Sequence, residues 1–183
     1  MGGVTISFDD DLNHSTIPAE IFASSTFSID VIMTLSESTD EISAYGFSVD
    51  YDSTKLTATN VVHDLPSDFL TPSTPTLDDA NGRVGRFTAA VTSTGNPLEG
   101  PGVFNLGTIV FGLKPGANGT AGISTFVSND GIDGFLKPGG DPATLSGNAA
   151  LNVTAVPEPS SAIFLLLTLV LLSERQWSRS HIS

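Results

Sequence analysis

Apolar and polar residues alternate with a period of two in several windows of the chain. Residues 27–35 carry an apolar side chain at every odd position, and residues 45–51 repeat the pattern with tyrosine, phenylalanine and valine. A period of two places the apolar side chains on one face of a β-strand. The same reasoning predicts further strands over residues 4–8, 87–91 and 149–155. Residues 56–62 are rich in Thr and Val, and residues 106–113 are apolar on both faces, as in a central strand, so both also favour strands, with residues 120–127 as another candidate.

Turn-forming residues separate these windows. Gly, Pro, Asn and Asp are concentrated at residues 78–82, 95–97, 114–119 and 137–142. We expect the proline-rich residues 65–77 to form a long loop. Short strands divided by such turns are typical of a sandwich or barrel. The sequence therefore predicts an all-β fold, a single β-sandwich of about eight to nine strands over residues 1–154.

The charge of this domain is strongly negative. Residues 1–156 contain eighteen Asp and Glu but five Lys and Arg, and the whole chain has a formal net charge of −13. Phosphate binding needs clustered cations, so this balance argues against a nucleic-acid partner. The chain has no cysteine, so neither a disulfide nor a thiol contributes to its fold or chemistry.

The last 27 residues differ from the rest. Pro157, Glu158 and Pro159 precede an almost entirely apolar segment from Ala162 to Leu172. As a helix its eleven residues would span about 16 Å, which is short for a bilayer core of about 30 Å. A buried domain helix would show a polar face, which this segment lacks. We predict an extended linker over 155–161, a membrane-inserting helix over 162–174 and a basic cytoplasmic tail over 175–183.

This layout resembles the PEP-CTERM sorting signal of exopolysaccharide-producing bacteria, with Arg175 and Arg179 as the cationic residues on the cytoplasmic side. The resemblance implies that Pro157, Glu158 and Pro159 are recognised by an exosortase-type membrane enzyme. It also implies export, membrane anchoring of the precursor, and then release to the cell surface or extracellular matrix. Because residues 1–11 lack the features of a signal peptide, we expect the natural start to lie upstream.

Three strand-like segments resemble cohesin domains. They are residues 27–31, residues 42–56 and residues 102–111, and Ser53 stands where the family usually has proline. The resemblance covers roughly residues 4–154. It implies a jelly-roll β-sandwich that binds a protein, such as a dockerin, or a glycan, and that has no catalytic activity.

No set of residues predicts catalysis. The three histidines are not at metal-binding spacing, and His63 and Asp64, as neighbours on a strand, would point to opposite faces. No nucleophile elbow, phosphate loop or dinucleotide motif is present. Weak calcium candidates are Asn129, Asp130 and Asp133, but glycine occupies the closing ligand position of the corresponding loop. We therefore expect no cofactor, with calcium as the remaining candidate.

Three non-catalytic functions are compatible with this sequence. The first is a surface-displayed cohesin-like module that binds a dockerin-like protein. The second is a module that binds exopolysaccharide or a substrate glycan, and the third is a structural protein of the extracellular matrix. Glycan binding needs exposed aromatic platforms, yet Tyr45 and Tyr51 lie on an apparent core face and Trp177 lies in the tail. This placement favours a protein partner.

Overall fold

A computed structural model of the chain describes residues 3–10, 19–22, 26–71, 74–127, 134–147 and 150–156. These residues contain fifteen β-strands, numbered in chain order, and no helix. The eight longer strands are β1 (Val4–Asp10), β3 (Thr26–Leu35), β5 (Ala44–Tyr51), β6 (Leu56–His63), β9 (Arg83–Val91), β11 (Gly102–Leu113), β12 (Gly119–Phe126) and β15 (Ala150–Val156). The predicted all-β architecture is confirmed for this part of the chain.

Seven further strands of two to four residues were not predicted. They are β2 (Ala19–Phe22), β4 (Glu41–Ile42), β7 (Phe69–Leu70), β8 (Thr76–Asp78), β10 (Leu98–Glu99), β13 (Gly134–Leu136) and β14 (Leu145–Gly147). The expectation of eight to nine strands is therefore too low. The expectation of a long loop over residues 65–77 is also wrong in part, because β7 and the start of β8 lie there and pair with β9.

The strands form two large sheets. The first sheet has the order β14-β1-β3-β11-β6. The second has the order β2-β15-β12-β5-β9-β7, with β13 paired to β5 and β8 paired to β9. Strands β4 and β10 form a separate two-stranded ribbon.

The core lies between the two sheets. Its largest fully buried side chains include Phe27 and Phe111 from the first sheet and Phe47 and Phe87 from the second. The rings of Phe47 and Phe87 stack with centroids 5.3 Å apart, and Tyr51 of the second sheet meets Phe111 of the first edge to face at 5.2 Å. The alternating apolar residues of β3 and β5 thus form the facing layers of a sandwich.

Candidate functional site

The outer face of the second sheet carries an exposed apolar row. The register pairs Leu70 with Ala90, Ala90 with Ala44, and Ala44 with Leu136. Residues paired in this way lie side by side on one face of a sheet, so the four side chains form a row across β7, β9, β5 and β13. Leu70 is 65% exposed and Leu136 is 40% exposed. We call these four residues the outer row.

The strands of the outer row place a phenylalanine inward beside each exposed leucine. Phe69 and Phe135 are buried in the core, while Leu70 and Leu136, which follow them, point outward. Successive strand residues point to opposite faces, so each Phe-Leu pair anchors a short strand through its ring and leaves the leucine on the surface. The core therefore holds the outer row in place.

A second cluster on the same face joins an aromatic ring to an ion pair. Arg83 donates hydrogen bonds from Nε to Asp50 Oδ1 (2.6 Å) and from Nη2 to Asp50 Oδ2 (2.9 Å). Its guanidinium lies 4.4 Å from the centroid of the Phe126 ring. Asp50 is directly opposite Arg83 in the register. The two-point ion pair and the cation–π contact fix the geometry of this cluster.

The outer face of the second sheet, comprising the outer row and the Arg83–Asp50–Phe126 cluster, is the candidate face. Its middle carries small residues, because Gly46 pairs with both Thr88 and Gly134 there. A sheet face with exposed leucine and phenylalanine side chains suits contact with a macromolecule, whereas small-molecule sites are usually concave.

The outer face of the first sheet has a different character. It carries hydroxyl and carboxylate side chains, and Thr108 Oγ1 donates a 2.6 Å hydrogen bond to Asp30 Oδ1. Two exposed valines lie on it, Val62 near the end of β6 and Val103 near the start of β11. Their positions in the register differ by several residues along β11, so they do not form a continuous apolar row.

His63 is a packing residue between the sheets. Its Nε2 lies 3.0 Å from Tyr45 Oη, and its ring meets Phe87 edge to face at 5.5 Å. Burial lowers the pKa of His63 below its usual value, while the charge of Asp64 acts in the opposite direction. Burial also raises the pKa of Tyr45. Both groups are therefore held neutral, which suits a structural hydrogen bond.

A second polar contact joins the sheets at the other end of β5. Tyr51 Oη donates a 2.9 Å hydrogen bond to Asp79 Oδ1, and Lys114 Nζ donates a 2.7 Å bond to Asp79 Oδ2. The bond from Lys114 holds the pKa of Asp79 below its usual value. Burial and the bond to Asp79 raise the pKa of Tyr51 to about 12.

Several predicted site residues lie outside the described residues. They are the calcium candidates Asn129, Asp130 and Asp133, the sorting motif Pro157, Glu158 and Pro159, the segment from Ala162 to Leu172, and Arg175 and Arg179. In the described ranges, no group of three or more His, Cys, Asp or Glu residues is arranged to hold a metal ion. Those ranges also hold no helix that is long and apolar enough to cross a membrane.

Sequence reasoning placed Tyr45 and Tyr51 correctly on the core face, since both are buried. It missed the outer row, because Leu70 and Leu136 lie in segments without alternation. A signal for both was present in the sequence. Each is the second residue of a Phe-Leu pair flanked by turn-forming residues, and such a pair indicates a short strand with one inward ring.

Comparison with solved structures identifies the fold as that of cohesin modules. A cohesin module from a Clostridium perfringens family 33 glycoside hydrolase matches with a TM-score of 0.56 and 13% identity, covering 84% of this chain and 98% of that one. The sixth cohesin of Acetivibrio cellulolyticus scaffoldin B, solved with a Cel5 dockerin, matches with a TM-score of 0.53 and 18% identity, covering 85% and 99%. The cohesin of the Clostridium thermocellum Coh-OlpA–Doc918 complex matches with a TM-score of 0.54 and 13% identity, covering 83% of this chain and 99% of that one.

No protein-family profile and no curated protein sequence matches the chain. At 11–18% identity to cohesins, the similarity lies in the fold. The expected cohesin-like sandwich is thus supported by structure.

Proposed function

We propose that this chain is a non-catalytic binding module that takes a dockerin-type protein partner on the candidate face. The observation that carries the proposal is the asymmetry between the two outer faces. Three large exposed apolar side chains, Leu70, Phe126 and Leu136, lie on the outer face of the second sheet, while the two exposed valines of the first sheet, Val62 and Val103, are far apart in the register. The cohesin fold adds support, since several structural neighbours were solved in complex with dockerins.

The aromatic residues of the described region favour a protein partner over a glycan. Glycan recognition would need exposed rings as stacking platforms, but Tyr45 and Tyr51 are buried. The ring of Phe126 is partly covered by the guanidinium of Arg83. A group of exposed apolar side chains such as the outer row is typical of protein interaction sites.

The test measures binding of purified dockerin modules to the 183-residue chain by calorimetry. The panel comprises every dockerin encoded in the genome that carries this chain, together with the Cel5 and Doc918 dockerins. We expect at least one to bind, and Leu70→Lys to weaken that binding by roughly tenfold or more, because it places a charge in a desolvated apolar contact.

The matched control is Val103→Lys. Val103 is 70% exposed, close to the value for Leu70, but lies on the first sheet, so its substitution should leave the affinity unchanged. Failure of the whole panel, or equal losses for the two variants, would contradict the proposal. Binding of exopolysaccharide in place of dockerins would favour the glycan alternative, and binding of neither would favour the matrix alternative.

We also propose that the C-terminal residues sort the module to the cell surface. The domain over residues 1–154 would be followed by the linker 155–161, which carries Pro157, Glu158 and Pro159 for an exosortase-type enzyme. The segment 162–174 would hold the precursor in the inner membrane, with Arg175 and Arg179 on the cytoplasmic side. The support is the order of these three parts in the sequence.

This second proposal predicts a defined mature C-terminus. In an exosortase-bearing host that expresses the gene from its natural locus, mass spectrometry of cell fractions should find a surface or extracellular species that ends near Pro157. Glu158→Ala should increase the amount of membrane-bound, full-length protein. A full-length cytoplasmic species for both the wild type and Glu158→Ala would overturn the sorting proposal and leave the binding proposal intact.

A further inference from the structure

Arg86 has a backbone conformation that is unusual for a side chain of its type. Its φ is +66°, in the left-handed region that glycine adopts readily and that costs other residues about 1 kcal/mol or more. It lies in a β-bulge, where Gly85 and Arg86 of β9 together oppose Ser48 of β5. Bulges of this kind commonly use glycine at the left-handed position.

Arg86 is also exposed and lacks a polar partner. Of the five cations in residues 1–156, Lys55, Arg83 and Lys114 form ion pairs. The side chain of Arg86 takes part in no ion pair or hydrogen bond with the described residues. In a domain with eighteen carboxylates, an exposed guanidinium without a carboxylate partner is unexpected.

The position of Arg86 places this cation on the candidate face. It opposes Ser48, which is directly paired with Phe126. Ala90 of the outer row is four residues further along the same strand, about 13 Å away. The guanidinium of Arg83 is already engaged by Asp50 and Phe126, so Arg86 supplies the available positive charge between the outer row and the cluster.

We infer that Arg86 is a specificity-determining residue, which pairs with a carboxylate of the partner when the apolar part of the partner covers the outer row. This inference rests on the proposed function. Strained backbone conformations persist where the surrounding structure holds them and are concentrated at functional sites. A guanidinium suits this role, because it binds a carboxylate through two parallel hydrogen bonds and desolvates more easily than an ammonium group.

The inference predicts that stability and binding respond in opposite directions. Arg86→Gly relieves the left-handed strain and should raise the melting temperature of the chain by about 2 °C. The same substitution should weaken binding of the dockerin identified above by roughly tenfold, since close charge pairs in interfaces are strongly coupled. Arg86→Glu should weaken it further, and Arg86→Lys should retain part of the affinity.

The matched control for charge is Val103→Glu. It lowers the net charge by one, as Arg86→Gly does, but Val103 is exposed on the outer face of the first sheet. We expect its affinity to equal that of the wild type. Raising the salt concentration should weaken the wild type more than Arg86→Gly, because the pair is electrostatic.

The possible results distinguish a failure of this inference from a failure of the proposed function. If Leu70→Lys abolishes binding while Arg86→Gly and Arg86→Glu bind like the wild type, the face is correct and the role of Arg86 is wrong. If Arg86→Gly lowers the melting temperature, the side chain serves the fold, and the inference is also overturned. If no dockerin binds the wild type, the proposed function fails, and the inference fails with it.

Discussion

Gly107 shows how a single position controls the pairing of three strands. Asn105 pairs with Ile32 of β3 and Gly107 pairs with Val31, so Leu106 is an extra residue in β11. Gly107 has a φ of +153°, and Asn105 Oδ1 accepts a 2.8 Å hydrogen bond from its amide. A Cβ atom at this position would overlap the backbone oxygen of Val62 and come within 3.0 Å of the Phe87 ring.

We predict that Gly107→Ala lowers the free energy of unfolding by roughly 2–4 kcal/mol, because it adds backbone strain and a steric overlap with the neighbouring strand. Urea unfolding measures the effect. Gly122→Ala is the control, since the nearest atom to its added Cβ is 3.8 Å away; its effect should stay within about 0.5 kcal/mol. Equal stability of the two variants would show that β11 can shift its register without cost.

At the scale of the strand, alternation predicted five of the eight long strands, β1, β3, β5, β9 and β15, because a strand of seven or more residues with one buried face displays several repeats of the period. The other three, β6, β11 and β12, were predicted without a clear alternation. Strands of two to four residues, such as β7 and β13, display at most two repeats and cannot be told from a turn. Alternation also predicts which face of the sheet a side chain points to, but not how exposed that side chain is. Ser48 points outward as expected, yet it is buried, because it lies opposite Phe126 and the bulge of β9.

The candidate face could be predicted only in part for the same physical reason. Its central residues lie on β5 and β9, whose alternation is clear, while the leucines of the outer row come from short strands. Arg86 was not predictable from its sequence context. A left-handed position near Gly85 and Arg86 would be assigned to the glycine, since a glycine adopts it without strain, whereas the structure gives it to the arginine.

In the whole molecule, polar contacts join the two sheets at both ends of β5. Tyr45, near its start, meets His63 of the first sheet. Tyr51, at its end, is linked through Asp79 to Lys114, which follows β11 of the first sheet. The contribution of Asp79 to the stability of the fold is fully present above the ordinary aspartate pKa of about 3.9. It is lost as the pH falls through the lowered pKa of Asp79 in the folded state. Asp79, at one end of β5, therefore responds to acid in a lower pH range than His63, at the other end.

His63 contributes to the stability of the fold in the higher of these two pH ranges. Because burial lowers its pKa in the folded state, the unfolded chain binds a proton first, near the ordinary value of about 6.5. Stability is then fully present above that pH and is lost as the pH falls through the folded-state pKa. We predict that the free energy of unfolding of the wild type, measured in urea, falls between about pH 7 and pH 5.

The substitution that isolates this effect is His63→Gln, which keeps a polar side chain but does not titrate. It should flatten the difference in stability between about pH 7 and pH 5, while the loss below about pH 4, where Asp79 titrates, remains. Tyr45→Phe is the control, because it removes the hydrogen-bonding partner and leaves the buried imidazole, so the slope near pH 6 should persist. If the wild type and His63→Gln show the same slope between about pH 7 and pH 5, the packing of the two sheets around His63 does not depend on its neutral form, and the prediction is wrong.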